Sequence, residues 1–153
     1  MFSWFGSPSV VDAVLGDLRR RGGAWRGTID LGDGRSPLAL PGARSGPDPQ
    51  AVDLARTLPS AYPAWRDRIA EALFEHYAAL AEAVGPGDHA PPPIARPDAV
   101  WPHAHIAFVA VIELDGEPCV EIGYEVAWDG DHTLGARLRN GRLVELNGSV
   151  LPP

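Results

Sequence analysis

Lysine is absent from these 153 residues: all 13 basic side chains are arginines. Together with abundant Ala, Gly and Pro, this reads as the coding bias of a GC-rich bacterial genome rather than as chemistry. A single cysteine, Cys119, excludes an intrachain disulfide and any zinc site built on several thiolates. No apolar run approaches the ~20 residues that a membrane helix needs. No basic residue precedes Arg19, so the opening MFSWFGSPSVVDAV lacks the basic region of a signal peptide. The expectation is a cytoplasmic protein with no membrane partner. Positive charge is also in deficit. The formal net charge of −7 argues against nucleic acid, because phosphate-backbone binding requires a basic footprint. It suits a basic protein partner instead.

The composition, 45% hydrophobic and 22% charged, is that of a soluble chain able to bury a core, and the length fits one domain over 1–153. Two Pro/Gly-rich stretches, PGARSGPDP (41–49) and GPGDHAPPPIARPD (85–98), read as loops. Between them lies a helical region, 48–84. Asp48-Pro49 supplies an N-cap and a proline at the first helical position, followed by Ala51, Val52, Leu54, Ala55 and Leu58. A second helix is expected from about Pro63. Its apolar stripe is Trp65, Ile69, Ala72, Leu73, His76, Tyr77, Leu80 and Val84.

The N-terminal part admits two readings. Ser9 followed by Val10, Val11, Val14, Leu15 and Leu18 fits a capped helix. Alternation through Val14, Gly16 and Leu18, and again through Trp25, Gly27, Ile29 and Leu31, fits two strands around Gly22-Gly23, with a third at 37–40.

After the loop at 85–102, residues 103–147 read as a four-stranded meander. HIAFVAVIEL is apolar on both faces and so central. In the next strand Val120, Ile122, Tyr124, Val126 and Trp128 point one way, and Glu121, Gly123 and Glu125 the other. Alternation without further bulges favours three-residue turns at 115–117 and 139–141. The first pairs Ile112 with Val120 and His105 with Ala127, places His103 opposite Asp129, and leaves Glu125 diagonal to His105. The second pairs Leu138 with Arg142, Ala136 with Val144 and Leu134 with Leu146. Glu125 is expected opposite Arg137.

VLGDLRRRGGAWRGTIDL, the segment ending ALFEHY, and VEIGYEVAWDGDHTLGARLRNGRLVELNGS together resemble a group of uncharacterised bacterial domains of unknown function. Their C-terminal mark is Trp-Asp-x-Glu-His-x-Leu-Gly, with Asp131 standing here in place of the glutamate. The resemblance implies that the N-terminal segment forms strands. It also implies a cytoplasmic protein, with similar members looking like immunity or accessory proteins of toxin systems. The fold expected is α+β: an antiparallel, meander-rich sheet of about seven strands with two helices on one face.

The sharpest cluster of chemistry-bearing residues is His103, His105, Glu125, Asp129, Asp131 and His132. Imidazoles and carboxylates at close quarters are a ligand set for zinc or iron. The structural alternative is preferred: Asp129 accepts backbone N–H groups in a tight connection, His132 caps the loop, and Trp128 closes the core. No catalytic residue or cofactor is assigned. GDGRS and GPGD do not lead from a strand into a helix, Ser36 and Ser149 lack an identifiable base, and Glu117 and Glu121 should raise the Cys119 thiol. His76 and Tyr77 read as hydrogen-bonded core residues, and Trp4 and Phe5 as an apolar anchor or a segment folded back. The function expected is non-enzymatic binding of a protein, a basic toxin or another. The alternatives are a metal-dependent enzyme using His103, His105, Glu125 and Asp129, and a small-ligand module on the sheet face left open by the helices. The sequence gives no oligomeric state.

Overall fold

Residues 6–153 are described by the computed structural model, so Trp4 and Phe5 lie outside the described residues. The strands are β1 (Ser9–Asp12), β2 (Gly16–Arg21), β3 (Ala24–Asp30), β4 (Arg35–Leu40), β5 (Gly42–Ala43) and β6 (Gly46–Pro47). Helix α1 (Pro49–Val84) and a 3₁₀ helix (Pro97–His103) lead to β7 (Ala104–Leu114), β8 (Glu117–Val126), β9 (Asp129–Arg139) and β10 (Arg142–Val150). Eight strands form one sheet in the order β1-β2-β3-β4-β7-β8-β9-β10, and β5 and β6 make a separate two-stranded pair.

The fold is α+β as expected, with two corrections. Among the described residues the sheet has eight strands rather than seven, the extra one being β1. Its connection to β2 is closed by Gly16 (φ 75) opposite Asp12, whose carboxylate accepts from Val14 N at 2.9 Å and Leu15 N at 2.8 Å. The sheet is also mixed: β4 and β7 run parallel, pairing Leu38 with Val109 and Ala39 with Ala110. Parallel neighbours require a crossover, and here α1 supplies it.

Among the described residues there are two helical elements, but not the expected pair. Residues 49–84 form one 36-residue helix that continues through Pro59 and Pro63. Each interior proline costs about 3 kcal/mol. Both are exposed, whereas Leu58, Tyr62, Ile69 and Leu73 on the opposite side are fully buried. At about 1.5–3 kcal/mol per large apolar side chain, that burial outweighs the lost hydrogen bonds. The second element is the 3₁₀ helix, which takes up the end of the expected 85–102 loop and sends Val100 into the same core.

In the N-terminal part, β2 and β3 pair as a hairpin with Arg19 opposite Arg26 and Arg21 opposite Ala24, so no helix runs from Ser9. Alternation is strict where it matters. Leu18, Trp25, Ile29, Leu38, Leu40, Val120, Ile122, Tyr124, Val126, Leu134, Ala136 and Leu138 all enter the main core beneath α1.

The C-terminal meander runs in the expected order, but its registers differ by one. Both turns have two residues, Asp115-Gly116 (φ 53 and 79) and Asn140-Gly141 (φ 52 and 72). Positive φ at both central positions matches the strand twist. Leu143 therefore faces Leu138, Val111 faces Val120, and Val109 faces Ile122. Bulges then repair the parity. One in β10 at Val144 turns that side chain outward and lets Leu146 face Ala136, so Leu143 and Leu146 both meet the core. Another at Ala107 divides β7.

The face of the sheet away from α1 carries a smaller apolar cluster, Ala39, Phe108, Ala110 and Val150. Gly123 and Gly135 pair across β8 and β9 beneath it. A Cβ on Gly123 would strike the Phe108 ring, and one on Gly135 would come within 2.6 Å of Val150 Cγ1. Arg137 bridges the same face, its Nε 2.8 Å from Glu121 and its Nη1 2.7 Å from Glu145. Glu121 thus holds the position expected for Glu125. Among the described residues, no helix is long and apolar enough to cross a membrane.

Candidate functional site

Strand β8 ends at Val126, which pairs with Asp129 across Ala127-Trp128, while Glu125 pairs with Thr133. Gly130, Asp131 and His132 are consequently extruded from the ladder. Asp129 holds this excursion together: Oδ1 accepts from Asp131 N at 3.2 Å, and both carboxylate oxygens lie 3.0 Å from His132 Nδ1. Trp128 is 5% exposed and packs edge-on against Tyr77, with ring centroids 5.7 Å apart. Its Nε1 donates to His76 Nδ1 at 3.0 Å. Burial pushes His76 below its ordinary pKa, Asp129 opposing and His132 reinforcing that shift. The ring is therefore a neutral acceptor carrying its proton on Nε2. Tyr77 is tied similarly, its hydroxyl accepting from Ile94 N at 3.0 Å. The WDGDH stretch fastens the end of β8 to α1, and Gly130, Asp131 and His132 are its exposed members.

The other candidate residues do not join it in a ligand set. His103 ends the 3₁₀ helix rather than extending β7, and its carbonyl accepts from Ala127 N at 2.9 Å. His105 lies directly opposite Glu125, not Ala127, because the two-residue turn and the bulge at Ala107 shift the register. Asp131 is exposed. Among the described residues, no group of three or more His, Cys, Asp or Glu is placed to hold a metal ion. Cys119 is fully buried, and burial is the main cause that pushes its thiol up, while Arg137 and Arg139 pull it down. Glu121 adds only a lesser upward push.

Sequence reasoning missed two surface features. A groove of about 640 Å³ runs between α1 and the tips of the last two hairpins. Leu54, Ala61 and Trp65 form its helix side, and Pro118, Val120 and Leu138 its sheet side. Glu117 and Arg139 face each other across 3.8 Å at one end. Leu54 and Trp65 both belong to the apolar stripe readable in the sequence, but they stand at its margin, where the core leaves them partly exposed. The second feature is a polar cleft of about 370 Å³ where β4 and β7 begin, with Asp33, Arg35, Ser36, Arg66 and Trp101 around it. Beneath it the Tyr62 and Tyr124 hydroxyls meet at 2.9 Å, and burial pushes both phenols up. On the open sheet face a pocket of about 140 Å³ lies beside Phe108, where Arg26 Nη1 donates to Pro153 O at 2.6 Å. That is below the usual size of a small-molecule pocket, about 300–1,000 Å³.

Fold and surface together define an α+β domain in which one long crossover helix covers a mixed sheet. The chain belongs to the family described as Domain of unknown function (DUF6985), whose model matches residues 15–150. No curated protein and no solved structure matches it.

Proposed function

We propose that this domain is a non-enzymatic protein-binding module that receives a partner's segment in the groove between α1 and the hairpin tips. The observation that carries the reading is Trp65, left partly exposed over that groove in line with Leu54 and Ala61. Tryptophan seated in a groove supplies a large share of binding free energy where interfaces have been dissected. A groove flanked by a helix on one side suits a peptide segment better than a small solute. The net charge of −7 favours a basic partner, and a toxin held inactive by this domain is one such partner.

The experiment is calorimetric titration of the intact protein with the products of neighbouring genes, toxins first. Trp65→Ala and Leu54→Glu should each weaken binding by about tenfold or more, corresponding to about 1.4 kcal/mol, while thermal melts show the variants folded. Partner binding unchanged by both substitutions would remove the groove from the account.

A further inference from the structure

We propose that the cleft between the beginnings of β4 and β7 binds a small molecule through its oxyanion, a carboxylate or a phosphate. This goes beyond the protein-binding reading and uses a different surface. Two local features open the cleft. The parallel ladder holds only Leu38 to Val109 and Ala39 to Ala110. On the β4 side Pro37 has no N–H to give a ladder, and on the β7 side the bulge at Ala107 turns the strand aside. Upstream of the ladder the two strands diverge, and the space between them stays open.

What lines that space fits an anion. Ser36 is 7% exposed, yet its hydroxyl makes no hydrogen bond with any of the described residues and borders the cleft. Its Oγ keeps contact with solvent in the cleft and is free to meet an incoming acceptor. Arg35, beside it, forms no ion pair with any described carboxylate and also borders the cleft. Arg66 enters from α1 with its guanidinium carbon 4.4 Å from the centre of the Trp101 ring. That stacking holds the planar group in place while leaving its edge N–H donors available, the arrangement in which Arg recognises carboxylate and phosphate. Asp33 is the internal competitor. It lies 3.8 Å from Arg66, too far for a hydrogen bond, on an exposed turn. Two guanidiniums and one hydroxyl against one loosely held carboxylate leave a site for an incoming anion. The exposed His105 also borders the cleft, while Ala104, Ile106 and the Trp101 ring give the anion's carrier an apolar surface to rest on.

The test is ¹H–¹⁵N NMR titration of the intact protein with inorganic phosphate and, separately, with benzoate, at constant ionic strength made up with chloride. Saturable shifts are expected at the Ser36 amide and the Trp101 indole N–H. Saturation by phosphate or by benzoate identifies which oxyanion the site takes, and either supports it. Arg35→Gln and Ser36→Ala, at an exposed residue and at a hydroxyl with no protein partner, should each weaken that binding by about tenfold, the factor that 1.4 kcal/mol of lost interaction gives. The remaining spectrum should stay that of the folded protein. Linear, unsaturated shifts with both anions would overturn the proposal. So would saturation with unchanged affinity in both variants, because the anion would then sit elsewhere.

Discussion

Trp128 and His76 are joined by a 3.0 Å hydrogen bond in which the indole donates and the imidazole Nδ1 accepts. The bond needs an unprotonated Nδ1, and burial already holds His76 below its ordinary value of 6.5. Unfolding therefore takes up a proton at this residue between the folded and unfolded values. The stability it contributes is present above about 6.5 and is lost as pH falls through the lower folded value. Denaturant midpoints measured from about pH 7.5 down to about pH 5 should fall more steeply in the wild type than in His76→Asn, which keeps an acceptor and cannot titrate. Parallel profiles would show that His76 is not the sensor.

Replacing Trp128 by Ala should cost about 3–5 kcal/mol, the range for a large aromatic taken from a core. Asp129→Ala should cost about 0.5–2 kcal/mol, since it deprives one backbone N–H and His132 of their acceptor. Against a total of roughly 5–15 kcal/mol, the first change threatens folding and the second does not. Urea melts of the two variants give the comparison directly. Equal midpoints for Asp129→Ala and wild type would mean that the extruded 130–132 segment does not need its carboxylate.

Asp12 should govern the acid limit. Its side chain is 6% exposed and paired with Arg56. The Arg56 hydrogen bond first, then the backbone N–H groups of Leu15 and Val14, hold it far below the usual carboxylate range. The unfolded value is near 3.8, so its stabilisation is present above that pH and is lost as pH falls towards the folded value. Asp12→Asn should be less stable than wild type at neutral pH, and the gap should narrow steadily below about pH 4. A gap that persists into strong acid would assign the loss to packing.

Gly123 should resist any side chain. Gly123→Ala places a methyl against the Phe108 ring and should cost about 1–3 kcal/mol through overpacking. Pairing it with Phe108→Leu should cost less than the sum of the two single changes, because the smaller side chain leaves room for the methyl. Strict additivity in a double-mutant cycle would show that the ring moves aside freely.

Much of the architecture was legible because burial enforces period. The inward residues of β8, from Val120 to Val126, with Trp128 just beyond its end, are the alternating set read from the sequence, and the N-cap at Asp48 is where composition places it. Registers were not legible, because a bulge costs little and resets alternation: Val144 and Ala107 each absorb one residue. Pro63 suggested a helix start, but a proline whose ring faces water can be carried by a well-buried stripe. The pattern strand, helix, strand across β4, α1 and β7 is that of a parallel pair, which a pure meander excludes. The polar cleft is not legible in the sequence either: its walls come from residues 33, 35, 36, 66, 101 and 104–106, which become neighbours only once the crossover is made. His76 and Trp128 are likewise 52 residues apart in sequence.

The short ladder between β4 and β7 has a mechanical meaning. Six residue pairs join β3 to β4 and ten join β7 to β8, whereas two join β4 to β7. The sheet is two four-stranded cloths sewn together by a pair of stitches, with α1 as the strap across the seam. Tension applied along β4 and β7 loads those stitches in shear while the interiors of both cloths hold, so the molecule should part there first, with the strap still attached to both sides. In a force-extension trace that rupture should register as a small early step, separate from the larger events in which each cloth unravels.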